Sequence, residues 1–210
     1  MFPSLYAILD PDLAATPLTQ LAEALAFAGV QLIQLRDKRS GAGKIYTQAR
    51  ELAAVLSPRG VRFIVNDRSD VAVISGATGV HVGQEDLPVE DARRICGPAL
   101  WVGVSTHNLE QLREAERTSA DYIAVGPIFP TGTKQNPDPV VGLEFLRAAR
   151  QLTRKPLVAI GGITVESATE VFRVGADSVA VISDLLTTGD PASRAREYLA
   201  IADRTLTSRG

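Results

Sequence analysis

The chain is poor in the residues that build several common kinds of site. It has one cysteine, Cys96, and two histidines, His81 and His107, in 210 residues. A single thiol excludes an internal disulfide and fits a reducing compartment. The histidines lack the spacing of a zinc centre. Aromatic residues make up 5% of the chain, and none of the stretches rich in apolar residues interleaves them with basic ones as a nucleic-acid platform requires. Twenty-two basic residues stand against 24 acidic ones, for a formal net charge of -2. No block of one sign is present, so neither nucleic acid nor an anionic membrane is an expected partner. No apolar run is long enough to span a bilayer. The opening, MFPSLYAILD, lacks the basic-then-apolar layout of a secretory leader. The expectation is a cytoplasmic protein whose partners are small molecules.

What is present is a rhythm. The apolar fraction is 45%, enough for a core filled mainly by aliphatic side chains. Short apolar runs read as strands over 5–9, 30–35, 62–65, 79–82, 100–104, 121–125, 156–160 and 178–182. Between them, helical spacing covers 18–28, 44–56, 70–75, 89–95, 109–116, 143–152 and 167–174, and a last helix starts at 192. No Pro, Gly and Ser-rich linker divides the chain, so 1–210 reads as one domain. Eight strand–helix units predict a (β/α)8 TIM barrel; an open doubly wound sheet is the competing α/β arrangement.

In such a barrel, chemistry sits on the loops that follow the strands. The polar residues of this chain gather at those positions. Strand two leads to Gln34, Arg36 and Lys38, which alternate onto one side; the two cations and the amide suit a diphosphate and a polar ring. Solvated salt bridges with Asp37 are the plain alternative. Strand three leads to Asn66 and Asp67, and strand four to Glu85 and Asp86. Asp67 and Asp86 are candidate Mg2+ ligands, since magnesium takes a few carboxylate oxygens and completes its shell with water and phosphate; helix capping explains either Asp alone. Asp70 reads as a cap for the short helix behind it.

Strand five leads to Ser105, and strand six to GPIFPTGTK. There Thr131 and Thr133 offer hydroxyls, Gly132 permits close approach and Lys134 brings a cation. Gly161 and Gly162 after strand seven, with Ile182 and Ser183 after strand eight, form a candidate phosphate cup, although tight turning also explains a Gly-Gly pair. His81, inside VHV, reads as a hydrogen-bonded strand residue. His107 either reaches the pocket or caps a helix, with Asn108 the other cap candidate. Tyr6, Trp101 and Cys96 read as packing residues.

The set QLRDK, NDR, GVHVGQEDLP, GVSTHN, DYIAVGPIFPTGTK, VAIGGI and VAVIS resembles the thiamine-phosphate synthase family over almost the whole chain. The resemblance implies a (β/α)8 barrel and a magnesium-dependent enzyme. It implies two substrates, 4-amino-5-hydroxymethyl-2-methylpyrimidine diphosphate and 4-methyl-5-(2-phosphooxyethyl)thiazole. It also implies a dissociative substitution through a pyrimidine methylene cation. Gln34, Arg36, Lys38 and Asn66 would then hold the pyrimidine diphosphate, and Asp67 and Asp86 the Mg2+. Ser105, Thr131, Thr133 and Lys134 would surround the reaction centre, with Arg36, Lys38, Ser105 and Lys134 in catalytic roles. Gly162, Ile182 and Ser183 would receive the thiazole phosphate. Asp37 stands where many relatives carry Glu, and Ser167 where Asn is frequent. A thiazole tautomerase, a sugar-phosphate aldolase or epimerase, and a noncatalytic phosphate-binding barrel are the rivals. Oligomeric state is left open, a homodimer included.

Overall fold

The computed structural model describes residues 2–132 and 139–207. Eight strands pair in parallel and in chain order, and the first returns to the eighth to close a barrel. They are β1 (Leu5–Leu9), β2 (Leu32–Leu35), β3 (Arg62–Asn66), β4 (Gly79–Val82), β5 (Trp101–Thr106), β6 (Tyr122–Val125), β7 (Leu157–Ile160) and β8 (Ser178–Val181). The helices between them are α1 (Leu18–Phe27), α2 (Ala42–Leu56), α3 (Ser69–Ser75), α4 (Val89–Cys96), α5 (Leu109–Arg117), α6 (Gly142–Leu152) and α7 (Val165–Val174). After β8 come the single-turn α8 (Ser183–Leu186) and the long α9 (Pro191–Thr207). The barrel, rather than the open sheet, is the fold.

The two-residue period of the strands creates two cores. Tyr6, Ile8, Leu32, Ile64, Tyr122, Ala124, Val158 and Ala180 pack inside the barrel. Their neighbours Ala7, Leu9, Ile33, Leu35, Phe63, Val65, Ile123, Val125, Ala159 and Val179 point outward, against the helices. Leu52 of α2 is fully buried in that outer layer, which is worth roughly 1.5–3 kcal/mol for such a side chain. At the end where strands begin, Phe2 stacks on Trp101 with ring centroids 5.3 Å apart, and the Arg62 guanidinium lies 3.8 Å over the Trp101 ring. Trp101 is thus a packing residue, as expected.

Several boundaries differ from the sequence reading. β5 runs two residues further and ends at Thr106, so Ser105 is held by strand pairing rather than by a loop. α3 begins at Ser69; Asp70 lies in its first turn and pairs with Arg68 at 2.5 Å, so it is not the cap. Asn108 caps α5, its Oδ1 accepting from the Gln111 N–H at 2.9 Å. Thr164 and Ser167 form a capping box that starts α7 two residues earlier than expected. A four-residue helix such as α8 is too short to show a periodic pattern, which is why its sequence reads as loop.

Candidate active site

A cavity of about 490 Å3 opens at the ends of the strands, on the side where a barrel carries its chemistry. Gln34, Arg36, Lys38, Asn66, Asp67, Asp86, Ser105, Thr131, Gly162, Ile182 and Ser183 all line it. These candidate residues are therefore in one place, whereas Gly132, named with the same loop, does not line the cavity. Thr133 and Lys134 lie outside the described residues.

One wall carries charge. Arg36, just past β2, meets Asp10, just past β1, at 2.7 Å. Asp10 is buried and also accepts from the Asp12 N–H at 3.0 Å, so the Arg36 fork is anchored by a fixed carboxylate. Lys38 reaches across to Asp67 at 2.5 Å. Asp67 sits at φ +62°, a left-handed geometry that Asp tolerates better than most residues. Its N–H donates to the His81 carbonyl at 2.7 Å, and the next N–H, of Arg68, donates back to the Asn66 carbonyl at 2.7 Å. That tight turn aims the carboxylate inward. Burial raises the Asp67 carboxyl, Lys38 pulls it down and Asp86 pushes it up again, leaving it at about 6. The second oxygen of Asp86 accepts from the Gly83 N–H at 2.8 Å.

Two carboxylates held close enough to repel are a fit for a divalent cation, which would relieve the repulsion that now favours a proton. Among the described residues no group of three or more His, Cys, Asp or Glu side chains is arranged to hold a metal. The Asp67–Asp86 pair would suit magnesium, which takes few protein ligands and draws much of its shell from water and ligand phosphate.

The opposite wall is backbone and small side chains. Gly126, Pro127, Val158, Ile160, Gly161, Gly162 and Ala180 form it. Gly162 has φ +63°, and a Cβ there would come within 2.4 Å of the Pro130 carbonyl oxygen. The Gly-Gly turn is thus packed beneath the 126–132 segment, whose Ile128 and Phe129 N–H groups donate to the Ile160 and Gly161 carbonyls at 2.9 and 3.0 Å. Ser183 opens α8 at the rim, and α8 is tied down from below: Tyr198 of α9 donates to Asp184 at 2.6 Å.

The floor holds groups that sequence reasoning placed elsewhere. Tyr6 and His81 line the cavity. Gln34 Nε2 donates to the Tyr6 hydroxyl at 2.6 Å, Tyr6 and Tyr122 hydroxyls are 2.9 Å apart, and His81 lies between Tyr122 at 3.0 Å and Ser105 at 2.8 Å. Tyr6 is therefore a polar member of the site and not a packing residue alone. His81 is hydrogen-bonded within its strand region, as expected, and it faces the cavity as well. Burial lowers its pKa to about 4, a shift that Asp86 opposes and Lys38 reinforces. The ring is neutral at physiological pH. His107 Nδ1 lies 2.6 Å from the Gly126 carbonyl, which fixes it as the donor there. Cys96 is a buried free thiol on α4. No helix among the described residues is long and apolar enough to cross a membrane.

A closed parallel barrel, with acids, cations and a Gly-Gly turn converging on one cavity at its strand ends, has the architecture of a (β/α)8-barrel enzyme. Comparison with known proteins narrows the class. The family model described as thiamine monophosphate synthase matches residues 5–185. The chain is 53% identical to the thiamine-phosphate synthase of Koribacter versatilis over 204 residues, 95% of each chain. It is 41% identical to that of Methanospirillum hungatei, over 92% of this chain and 95% of the relative. Among solved structures, thiamine phosphate pyrophosphorylase from Pyrococcus furiosus superposes with a TM-score of 0.86 at 35% identity, covering 97% of this chain and 96% of that one. A 3-hexulose-6-phosphate synthase at 20% identity and TM-score 0.66 shares the fold alone. The chain belongs to the thiamine monophosphate synthase family, and it is an enzyme, a transferase.

Proposed function

We propose that the enzyme couples 4-amino-5-hydroxymethyl-2-methylpyrimidine diphosphate with 4-methyl-5-(2-phosphooxyethyl)thiazole, or its carboxylated precursor, to give thiamine monophosphate and pyrophosphate. The observation that carries this reading is the pairing, in one cavity, of a charged wall with a glycine wall. The first suits a diphosphate that gains charge as it leaves. The second suits a monophosphate bound by backbone N–H groups.

Arg36, anchored by Asp10, would grip the diphosphate, with Lys38, Asn66 and Gln34 orienting the pyrimidine. Lys38 is paired with Asp67, so diphosphate binding exchanges one carboxylate partner for a phosphate oxygen. Asp67 and Asp86 would hold Mg2+, which when bound supplies positive charge beside the leaving group. Thr131, Thr133 and Lys134 would complete the diphosphate side. Gly162, Ile182 and Ser183 would seat the thiazole phosphate. The attacking thiazole nitrogen has no proton to lose, so a dissociative substitution through a pyrimidine methylene cation needs no strong base. That agrees with a site in which the neutral His81 is committed to two hydroxyls and the one thiol, Cys96, sits on a helix of the outer ring. The buried, unpaired thiol also suits a cytoplasmic setting.

The test is to incubate the purified protein with both precursors and measure thiamine monophosphate and pyrophosphate, with magnesium and with EDTA. Equal, magnesium-dependent formation of both products is expected. Isomerisation of the thiazole phosphate without coupling would replace the reading with a tautomerase, and no conversion would leave a phosphate-binding barrel.

A further inference from the structure

Five side chains on five strands, or in one case the residue that begins a strand, form an unbroken line across the barrel interior: Gln34, Tyr6, Tyr122, His81 and Ser105. The links are 2.6, 2.9, 3.0 and 2.8 Å. Gln34, Tyr6, Tyr122 and His81 are buried, with exposures of 2, 1, 0 and 7%. Ser105 is half-buried at the cavity edge. Gly103 makes room for the line, because a Cβ there would lie 2.0 Å from the Tyr122 ring.

The protons in such a line are countable. Gln34 presents its Nε2 to Tyr6, and an amide nitrogen only donates. The Tyr6 oxygen therefore accepts, and its one proton must go to Tyr122, the remaining oxygen in reach. The Tyr122 oxygen accepts that proton and sends its own to His81 Nδ1. A neutral imidazole that accepts at Nδ1 carries its proton on Nε2, so His81 donates to Ser105 Oγ. Ser105 then has its own hydroxyl proton to direct into the cavity. With His81 donating from Nδ1 instead, one of the two phenol protons, that of Tyr122 or that of Tyr6, would be buried without an acceptor, at a cost of about 1–3 kcal/mol.

We infer that this one-way chain makes Tyr6, Tyr122 and His81 positioning residues: it fixes His81 as the Nε2–H tautomer and makes Ser105 a hydrogen-bond donor to the bound ligand. The tautomer stands whatever the ligand is. The consequence for catalysis rests on the coupling reading above.

The first test is the long-range 1H–15N spectrum of the histidine-labelled wild-type protein, in which the two ring nitrogens of each tautomer resonate far apart. His107, which donates from Nδ1 to the Gly126 carbonyl, supplies the contrasting pattern, and a His107→Gln sample assigns the remaining signal. An Nε2–H pattern for His81 is expected. An Nδ1–H pattern or an imidazolium overturns the inference. Tyr6→Phe, which cuts the line upstream of Tyr122, is expected to leave His81 averaging between tautomers; a tautomer unchanged by that cut would also overturn it.

Kinetics adds a second readout. Tyr6→Phe is expected to lower coupling turnover about tenfold, the scale of one hydrogen bond. The same substitution in a Ser105→Ala background is expected to lower it no further, because Tyr6 acts through Ser105. Fully additive losses would show that Tyr6 acts by another route and would sink the positioning role. Should the wild type fail to couple the precursors at all, the functional reading fails, and the spectrum still decides the tautomer.

Discussion

The cavity wall supplied by β1 to β4 carries its chemistry on side chains, whereas the wall supplied by β6 to β8 offers mostly backbone and small apolar groups. Asp10, Arg36, Lys38, Asp67 and Asp86 are held by one another on the first side. On the second, Gly161 and Gly162 are held by the segment packed over them. The difference bears on what each wall can tolerate. A charged side chain at a partly wet rim costs little to remove from the fold but much to remove from the chemistry. A glycine wedged under a neighbouring loop is the reverse: its replacement disturbs folding first.

Four experiments press on that contrast, in falling order of expected size. Asp86→Ala should reduce coupling by about 10²–10³-fold, the scale of losing a preorganised electrostatic element, while the thermal midpoint barely moves; steady-state rates alongside a melting curve check both halves. A comparable fall in stability would place the charged wall in the frame.

The second concerns acid stability. The unfolded chain protonates His81 near 6.5, and the folded chain resists until about 4. The folded form thus binds fewer protons between those values. Its stability is full above 6.5 and is lost as pH falls through the window, by on the order of 3 kcal/mol. Asp67, raised from 3.8 to about 6, works in the opposite sense, gaining protons in the folded state first. Denaturant titrations at several pH values, for wild type and His81→Gln, separate the two. The variant should show the shallower loss on acidification, and parallel curves would remove His81 as the cause.

Third, Gly162→Ala places a Cβ 2.4 Å from the Pro130 oxygen at a positive φ. It should cost on the order of 1–3 kcal/mol of stability, read as a lowered unfolding midpoint, with any loss of activity following from displacement of the 126–132 segment. An unchanged midpoint would show that the segment yields freely and would end the contrast between the walls.

The smallest expected effect is at Asp10→Asn, which leaves Arg36 in place without its ionic anchor. The Michaelis constant for the pyrimidine diphosphate should rise about tenfold, the scale of a charged hydrogen bond, with the constant for the thiazole phosphate unchanged. Equal changes in both would mean that Arg36 serves the whole cavity and not one wall.

Much of the charged wall was legible because its residues stand at or just beyond the ends of apolar runs. Gln34, Arg36, Asn66, Asp67 and Asp86 are polar where a buried strand gives way to a loop. Asp10 carries the same signal after Leu5–Leu9, but its pairing with Arg36 spans two strands and shows only in the structure. The floor was harder to read. Tyr6 and Tyr122 occur inside apolar runs, and a phenol there is as consistent with packing as with a hydrogen-bonded chain. Their partners lie 116 residues apart in the case of the two hydroxyls, a separation that no local pattern bridges. Ser167 shows an intermediate case: its departure from the usual Asn was visible, but its part in the α7 capping box depends on the backbone geometry of the turn before it.

By itself, the sequence determined the alternation of strand and helix and the polar residues at the strand ends, because those follow from local periodicity and from where apolar runs stop; which face of each doubly buried strand turns inward was left to the closed barrel. Tertiary structure decided which of those residues touch. Closure of the barrel brought β1 beside β8, set Lys38 against Asp67, laid the Gly-Gly turn under the 126–132 segment and strung five polar groups across the interior. Contacts of that kind arise from packing between segments distant in the chain, where charge, burial and the count of available protons are settled together.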